Sequence, residues 1–196
     1  ILASAKRVLI EQGYAGFTTR FVADEAGISP GNLSYHFPSK TDLLRAMVGQ
    51  LVDEYASEFS AFLSGSRIAP ERQLESLVEW LLTDAVAMES MCTFRELWAI
   101  SLHDEVVRRS VDNLYDVLMD GVVQLLRSSH PNADVKSIRE LVQMLALISE
   151  GSIVLYGTKR NRQVPLDRII QLVTPLLGNI APNVKITTPP SRKASS

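Results

Sequence analysis

The chain has 196 residues, 46% of them hydrophobic, and a formal net charge of −2. That length supports one large domain or a small one joined to a larger one, and the near-neutral balance argues against a chain that coats nucleic acid everywhere while allowing a local basic face. A single cysteine, Cys92, excludes an internal disulfide and, with no signal-like start, implies a reducing cytoplasm; no apolar run reaches the roughly 18 residues of a membrane span.

Apolar residues recur at spacings of three and four, so an all-α chain is expected. Its first residue is Ile1, inside a helical pattern, and the natural N-terminus is therefore expected upstream. Leu2, Ala5, Val8 and Leu9 line one side of a first helix that Gly13 should stop. Thr18 or Thr19 caps a second helix carrying Phe21, Val22 and Ala26, with Gly27 at its end. Ser29 caps a third, with Pro30 at its first position, Leu33 and Phe37 facing inward, and Pro38 ending it. Ser39, three residues before Asp42, caps a long fourth helix over 40–63 in a capping-box pattern.

A second set of helices follows the break near Ser64-Gly65-Ser66. The periodicity predicts helices over 70–89, 93–102, 105–128, 135–156 and 166–177. The last two are apolar around most of their circumference, which calls for burial on all sides. A partner copy would supply it, with Leu145, Ile148, Ser152, Leu155, Ile169, Val173 and Leu176 at the interface; a wholly internal helix is the competing reading. The Pro- and Ser-rich segment 181–196 reads as a disordered tail.

Two short helices joined by a tight turn form a helix-turn-helix, whose second helix enters the major groove of DNA. The residue types suit that task. Asn bonds an adenine edge bidentately, Ser bonds any base edge, and Thr, Tyr and Lys bond phosphates.

The string "EQGYAGFTTRFVADEAGISPGNLSYHFPSKTDLL", Glu11 to Leu44, resembles the TetR family of bacterial one-component transcriptional regulators. It holds the family's Gly-Tyr, Thr-Thr, Ala-Gly-Ile-Ser, His-Phe and Ser-Lys in order. Ser34 departs from the Tyr that many members carry, so operator preferences are not transferable.

The resemblance implies a three-helix DNA-binding domain over 1–47 and a helical effector-binding and dimerisation domain over 48–180, with the fourth helix linking the two. By position, Thr18 and Thr19 would meet phosphate. Ser29 would cap the reading helix, and Pro30, Gly31, Asn32 and Ser34 would face bases. Tyr35, His36 and Lys40 would hold the DNA backbone. For His36 the competing reading is a buried structural histidine, and for Tyr35 it is packing on the fourth helix.

In the larger part, Met88, Met91, Cys92, Phe94, Arg95, Trp98, His103 and Glu150 are candidates for an effector pocket, since Met and aromatic side chains suit adaptable apolar ligands; an ordinary helical core is the competing reading, and the stronger one for any single residue. One Cys and three scattered His lack metal-ligand spacing, and neither a phosphate-binding loop nor a nucleophile elbow occurs. The sequence therefore predicts no catalytic residues, metal or cofactor. It predicts a cytoplasmic homodimeric repressor whose partners are an operator duplex, a small-molecule effector and a second copy. The alternative is a helical ligand-binding or enzymatic domain whose helix-turn-helix is only scaffold.

Overall fold

A computed structural model describes residues 1–65, 70–158 and 162–180. Among these the chain forms helices and no strand: α1 (Leu2–Gly16), α2 (Thr19–Ala26), α3 (Pro30–His36), α4 (Lys40–Gly65), α5 (Pro70–Ala85), α6 (Met88–Ser101), α7 (Glu105–Ser129), α8 (Val135–Thr158) and α9 (Leu166–Ile180). The expected tail over 181–196 lies outside the described residues.

The helices group into two compact units that interleave along the chain. The first comprises Ile1–Ser64 and Ala87–Leu118; the second comprises Gly65–Val86 and the described residues from Met119 onward. In the first unit α1 packs against α2 and α6, and α2 against α3. Leu9, Phe17, Leu33, Leu43, Leu44 and Met47 are fully buried there, and each such aliphatic or aromatic side chain contributes about 1.5–3 kcal/mol by leaving water. At the surface Arg7 of α1 pairs with Glu25 of α2 at 2.7 Å, and Lys6 of α1 with Glu89 of α6 at 2.6 Å. In the second unit α5 packs on α8 and α9, and its core includes Leu77, Leu82, Leu126, Leu141 and Ile153.

The capping box at the start of α4 forms where the sequence placed it. Ser39 Oγ accepts the Asp42 N–H at 3.1 Å and donates to the Asp42 carboxylate at 2.7 Å. Asp104 and Asp134 cap α7 and α8 through N–H bonds from Val107 and Ser137.

One expectation needs correction. A helix over 70–89 and another from 93 do not form: α5 stops at Ala85 and α6 begins at Met88. The turn between them contains no Gly or Pro, and Ala87 at the N-cap offers no side-chain acceptor, so no local signal marks it. Gly13 interrupts the first helix where the sequence placed a stop (φ 65°, ψ 174°), and a further helical stretch follows as far as Gly16. Phe21 is 54% exposed, whereas Ala23 is buried. Phe21 and Val22 lie ~100° apart on a short helix, and the face packed on α1 and α3 includes Val22 and Ala23.

Candidate nucleic-acid interface

The helix-turn-helix is built by four local devices. Thr18 Oγ1 accepts the Phe21 N–H at 3.2 Å and starts α2. Gly27 ends it in the left-handed region at φ 66°, with its own N–H bonded to the Asp24 carbonyl and the Ile28 N–H to the Ala23 carbonyl. This is a Schellman stop, which a residue without a Cβ makes at no steric cost. Ser29 Oγ then accepts the Asn32 N–H at 3.1 Å, and Pro30 takes the first helical position, where no N–H is needed. Finally, the N–H of Phe37 bonds the Leu33 carbonyl at 2.8 Å and closes the helix before Pro38.

Leu33 anchors this short helix, buried to 0% exposure, with Phe37 half-buried. Everything around Leu33 faces water: Ser29, Pro30, Gly31, Asn32, Ser34, Tyr35 and His36 are exposed. Tyr35 is 84% exposed, which removes packing on α4 as its role, and His36 is not a buried histidine. Their rings meet edge to face at 5.3 Å. Thr18 is exposed and Thr19 half-buried. The cap bonds use the oxygens of Thr18 and Ser29 as acceptors and leave both hydroxyl protons available for a phosphate oxygen. A Cβ added at Gly31 would meet only Ser29 Oγ at 3.9 Å, so the chain itself does not require glycine there.

Lys40 is half-buried, and it is held by a residue that sequence reasoning did not single out. Its Nζ lies 3.4 Å from the Tyr14 carbonyl oxygen and 4.3 Å from the centre of the Tyr14 ring. The Phe17 ring is 5.8 Å away. No sequence spacing links residues 14 and 40; only the fold joins them.

Elsewhere in the first unit, α6 carries most of the residues expected to line an effector pocket. Met91 and Phe94 are buried, Cys92 and Trp98 half-buried, and Met88, Arg95 and His103 exposed. Phe94 meets Tyr55 of α4 edge to face at 5.0 Å and Trp98 at 6.2 Å, and the Trp98 indole N–H donates to the Tyr115 hydroxyl of α7 at 2.8 Å. Glu150 belongs to the second unit.

The second unit also holds the expected interface residues. Leu145 (2% exposed) and Ser152 (4%, its hydroxyl bonded to the Ile148 carbonyl) are buried within the chain. Ile148, Ile169 and Val173 are half-buried, and Leu155 and Leu176 exposed. With Met144, Leu147, Val154 and Leu172, the last two form exposed apolar stretches on α8 and α9. A Cβ at Gly151 would meet nothing within 4 Å.

Two carboxyls of the first unit, Asp104 and Glu105, lie below their ordinary values, Glu105 through hydrogen bonds from Arg108 and Arg109. Burial pushes the Asp104 carboxyl up, but the N–H groups of Val107 and Val106 and the Arg45 guanidinium, 3.0 Å away, outweigh it and hold the group below its ordinary value.

Residues 1–47 match the model of bacterial regulatory proteins of the tetR family. The chain carries the DNA-binding domain of the TetR family. It is 32% identical over 129 residues to an HTH-type transcriptional regulator in the dhlA 5′ region of Xanthobacter autotrophicus, spanning 64% of this chain and 63% of that protein. In fold it is similar to a structure described as a transcriptional regulator from Saccharomonospora viridis in complex with choline, with a TM-score of 0.75 at 21% identity over 90% of this chain and 93% of that one. It is also similar to the multidrug binding protein EbrR in complex with imidazole, with a TM-score of 0.60 at 24% identity over 98% and 96% of the two chains. The family match ends at residue 47, so it covers the reading head and leaves α5 to α9 to the likeness of fold.

Proposed function

We propose that this protein is a ligand-responsive transcriptional repressor that binds a near-palindromic operator as a homodimer. The reading is carried by one observation: α3 leaves Asn32, Ser34, Tyr35 and His36 in water while Leu33 alone anchors it. Asn32 and Ser34, with Pro30 and Gly31 beside them, face base edges; Thr18, Thr19, Tyr35, His36 and Lys40 hold phosphates. A helix so short and with so slight a positive charge around it makes few phosphate contacts. Two copies, placed about one helical turn apart on the duplex, supply useful affinity.

The exposed leucines of α8 and α9 support pairing with a second copy, because hydrocarbon left in water at Met144, Leu147, Leu172 and Leu176 is recovered by twofold self-contact. The Met- and aromatic-rich face of α6 supports a small-molecule effector, as do the choline and imidazole held by proteins of similar fold. To act, that molecule must bind one arrangement of the two reading heads better than the other.

The test is selection of bound fragments from genomic DNA by the purified protein, with a salt titration beside it. One enriched inverted repeat, lost in Asn32→Ala and Tyr35→Ala, is the expected result. A folded protein that enriches nothing, before and after refolding from denaturant to strip bound ligand, would overturn the reading.

A further inference from the structure

The break in α1 frees a backbone donor. Gly13 sits at φ 65° and ψ 174°, so the following residue, Tyr14, cannot direct its N–H along a regular helical ladder. Its donor is satisfied from outside the matched DNA-binding domain. The Glu96 carboxylate of α6 accepts the Tyr14 N–H at 2.8 Å, a charge-assisted bond. The carboxylate lies directly against Gly13, where an added Cβ would stand 3.4 Å from Glu96 Oε1. The other side of the same residue holds Lys40: the Tyr14 carbonyl accepts from Nζ at 3.4 Å, and the Tyr14 ring lies 4.3 Å beneath the ammonium. A single residue is thus clamped by an α6 carboxylate through its N–H and holds the Lys40 ammonium through its carbonyl and ring.

We infer that Glu96 is a positioning residue for DNA binding: by fixing the Tyr14 peptide it sets where the Lys40 ammonium meets the phosphate backbone. This rests on the reading of Lys40 as a phosphate contact. Glu96 touches no DNA itself, and its charge, being negative, would weaken duplex binding if it acted only through the overall field. The two ideas therefore predict opposite signs for its removal.

Binding of a mixed-sequence duplex across a range of salt reads this directly, because a phosphate contact contributes about one to the slope of log K against log salt. Lys40→Ala is expected to weaken binding several-fold and to lower the slope by about one per subunit. Glu96→Ala is expected to do the same, and Glu96→Gln to retain wild-type behaviour, since the amide oxygen still accepts the N–H. The double variant Glu96→Ala with Lys40→Ala should be no weaker than Lys40→Ala alone. Should Glu96→Ala fail to fold, Glu96→Asp withdraws the acceptor by one methylene and keeps the charge.

Wild-type or tighter binding by a folded Glu96→Ala or Glu96→Asp, with Lys40→Ala impaired, would overturn the inference alone. Simple additivity in the double variant would do the same. A Lys40→Ala variant with unchanged slope would remove the phosphate contact itself, and the inference with it.

Discussion

Helices α3 and α8 both leave side chains in water, and the chemistry of those side chains is opposite. On α3 the exposed groups are Ser, Asn, Tyr and His, which water satisfies and which DNA satisfies equally well. On α8 between Met144 and Gly157 they are Met144, Leu147, Val154 and Leu155, which water does not satisfy at all. One surface is suited to exchanging solvent for a polar partner and the other to being covered. Pairing a buried leucine with a row of exposed donors is how α3 remains folded without hiding its polar face.

The comparison breaks most clearly at α8. Leu147→Glu combined with Leu155→Glu should yield a monomer in sedimentation velocity and lower operator affinity by on the order of 10²–10⁴-fold, through loss of the linked second half-site. A dimer that persists would place the twofold contact elsewhere. Next in size is the anchor of α3. Leu33→Ala opens a cavity at a position with no exposure and should cost about 2–5 kcal/mol, read as a lower denaturant midpoint.

Asn32→Ala touches only the reading face. It should lower specific affinity by about 1–3 kcal/mol while leaving thermal stability and non-specific binding unchanged, which a competition titration separates. Ser29→Ala removes the acceptor of the Asn32 N–H and should destabilise by about 1 kcal/mol, with DNA affinity falling along with it.

The smallest effect concerns Asp104, which caps α7 and pairs with Arg45. Its folded-state pKa is lowered, so its contribution is full above the unfolded value and is lost as pH falls through the folded one. Asp104→Asn should therefore lower the melting temperature slightly at neutral pH and flatten the acid limb of the stability curve.

The helix-turn-helix was legible because its signals are local. Thr18, Gly27, Ser29, Pro30 and Ser39 each act on a backbone group within four residues, so spacing alone predicts them. The boundary between α5 and α6 was not legible, since Ala85, Val86 and Ala87 contain no breaker and Ala87 provides no cap bond. The exposure of Phe21 was not legible for a related reason: helical periodicity allows several apolar faces, and the neighbouring helices select one. Leu145 and Leu155 show the same limit on α8, where periodicity marks both as apolar and only burial separates them.

By itself, the sequence determined that the chain is helical and that a capped helix-turn-helix lies near its start. Those properties depend on hydrogen bonds and turns between near neighbours. Tertiary structure alone decided that α6 joins the unit containing α1, that Glu96 completes the turn at Tyr14, that Tyr14 holds Lys40, and which leucines of α8 remain in water. Each of these brings together groups far apart in the chain, and no local spacing records which distant surface a residue will meet.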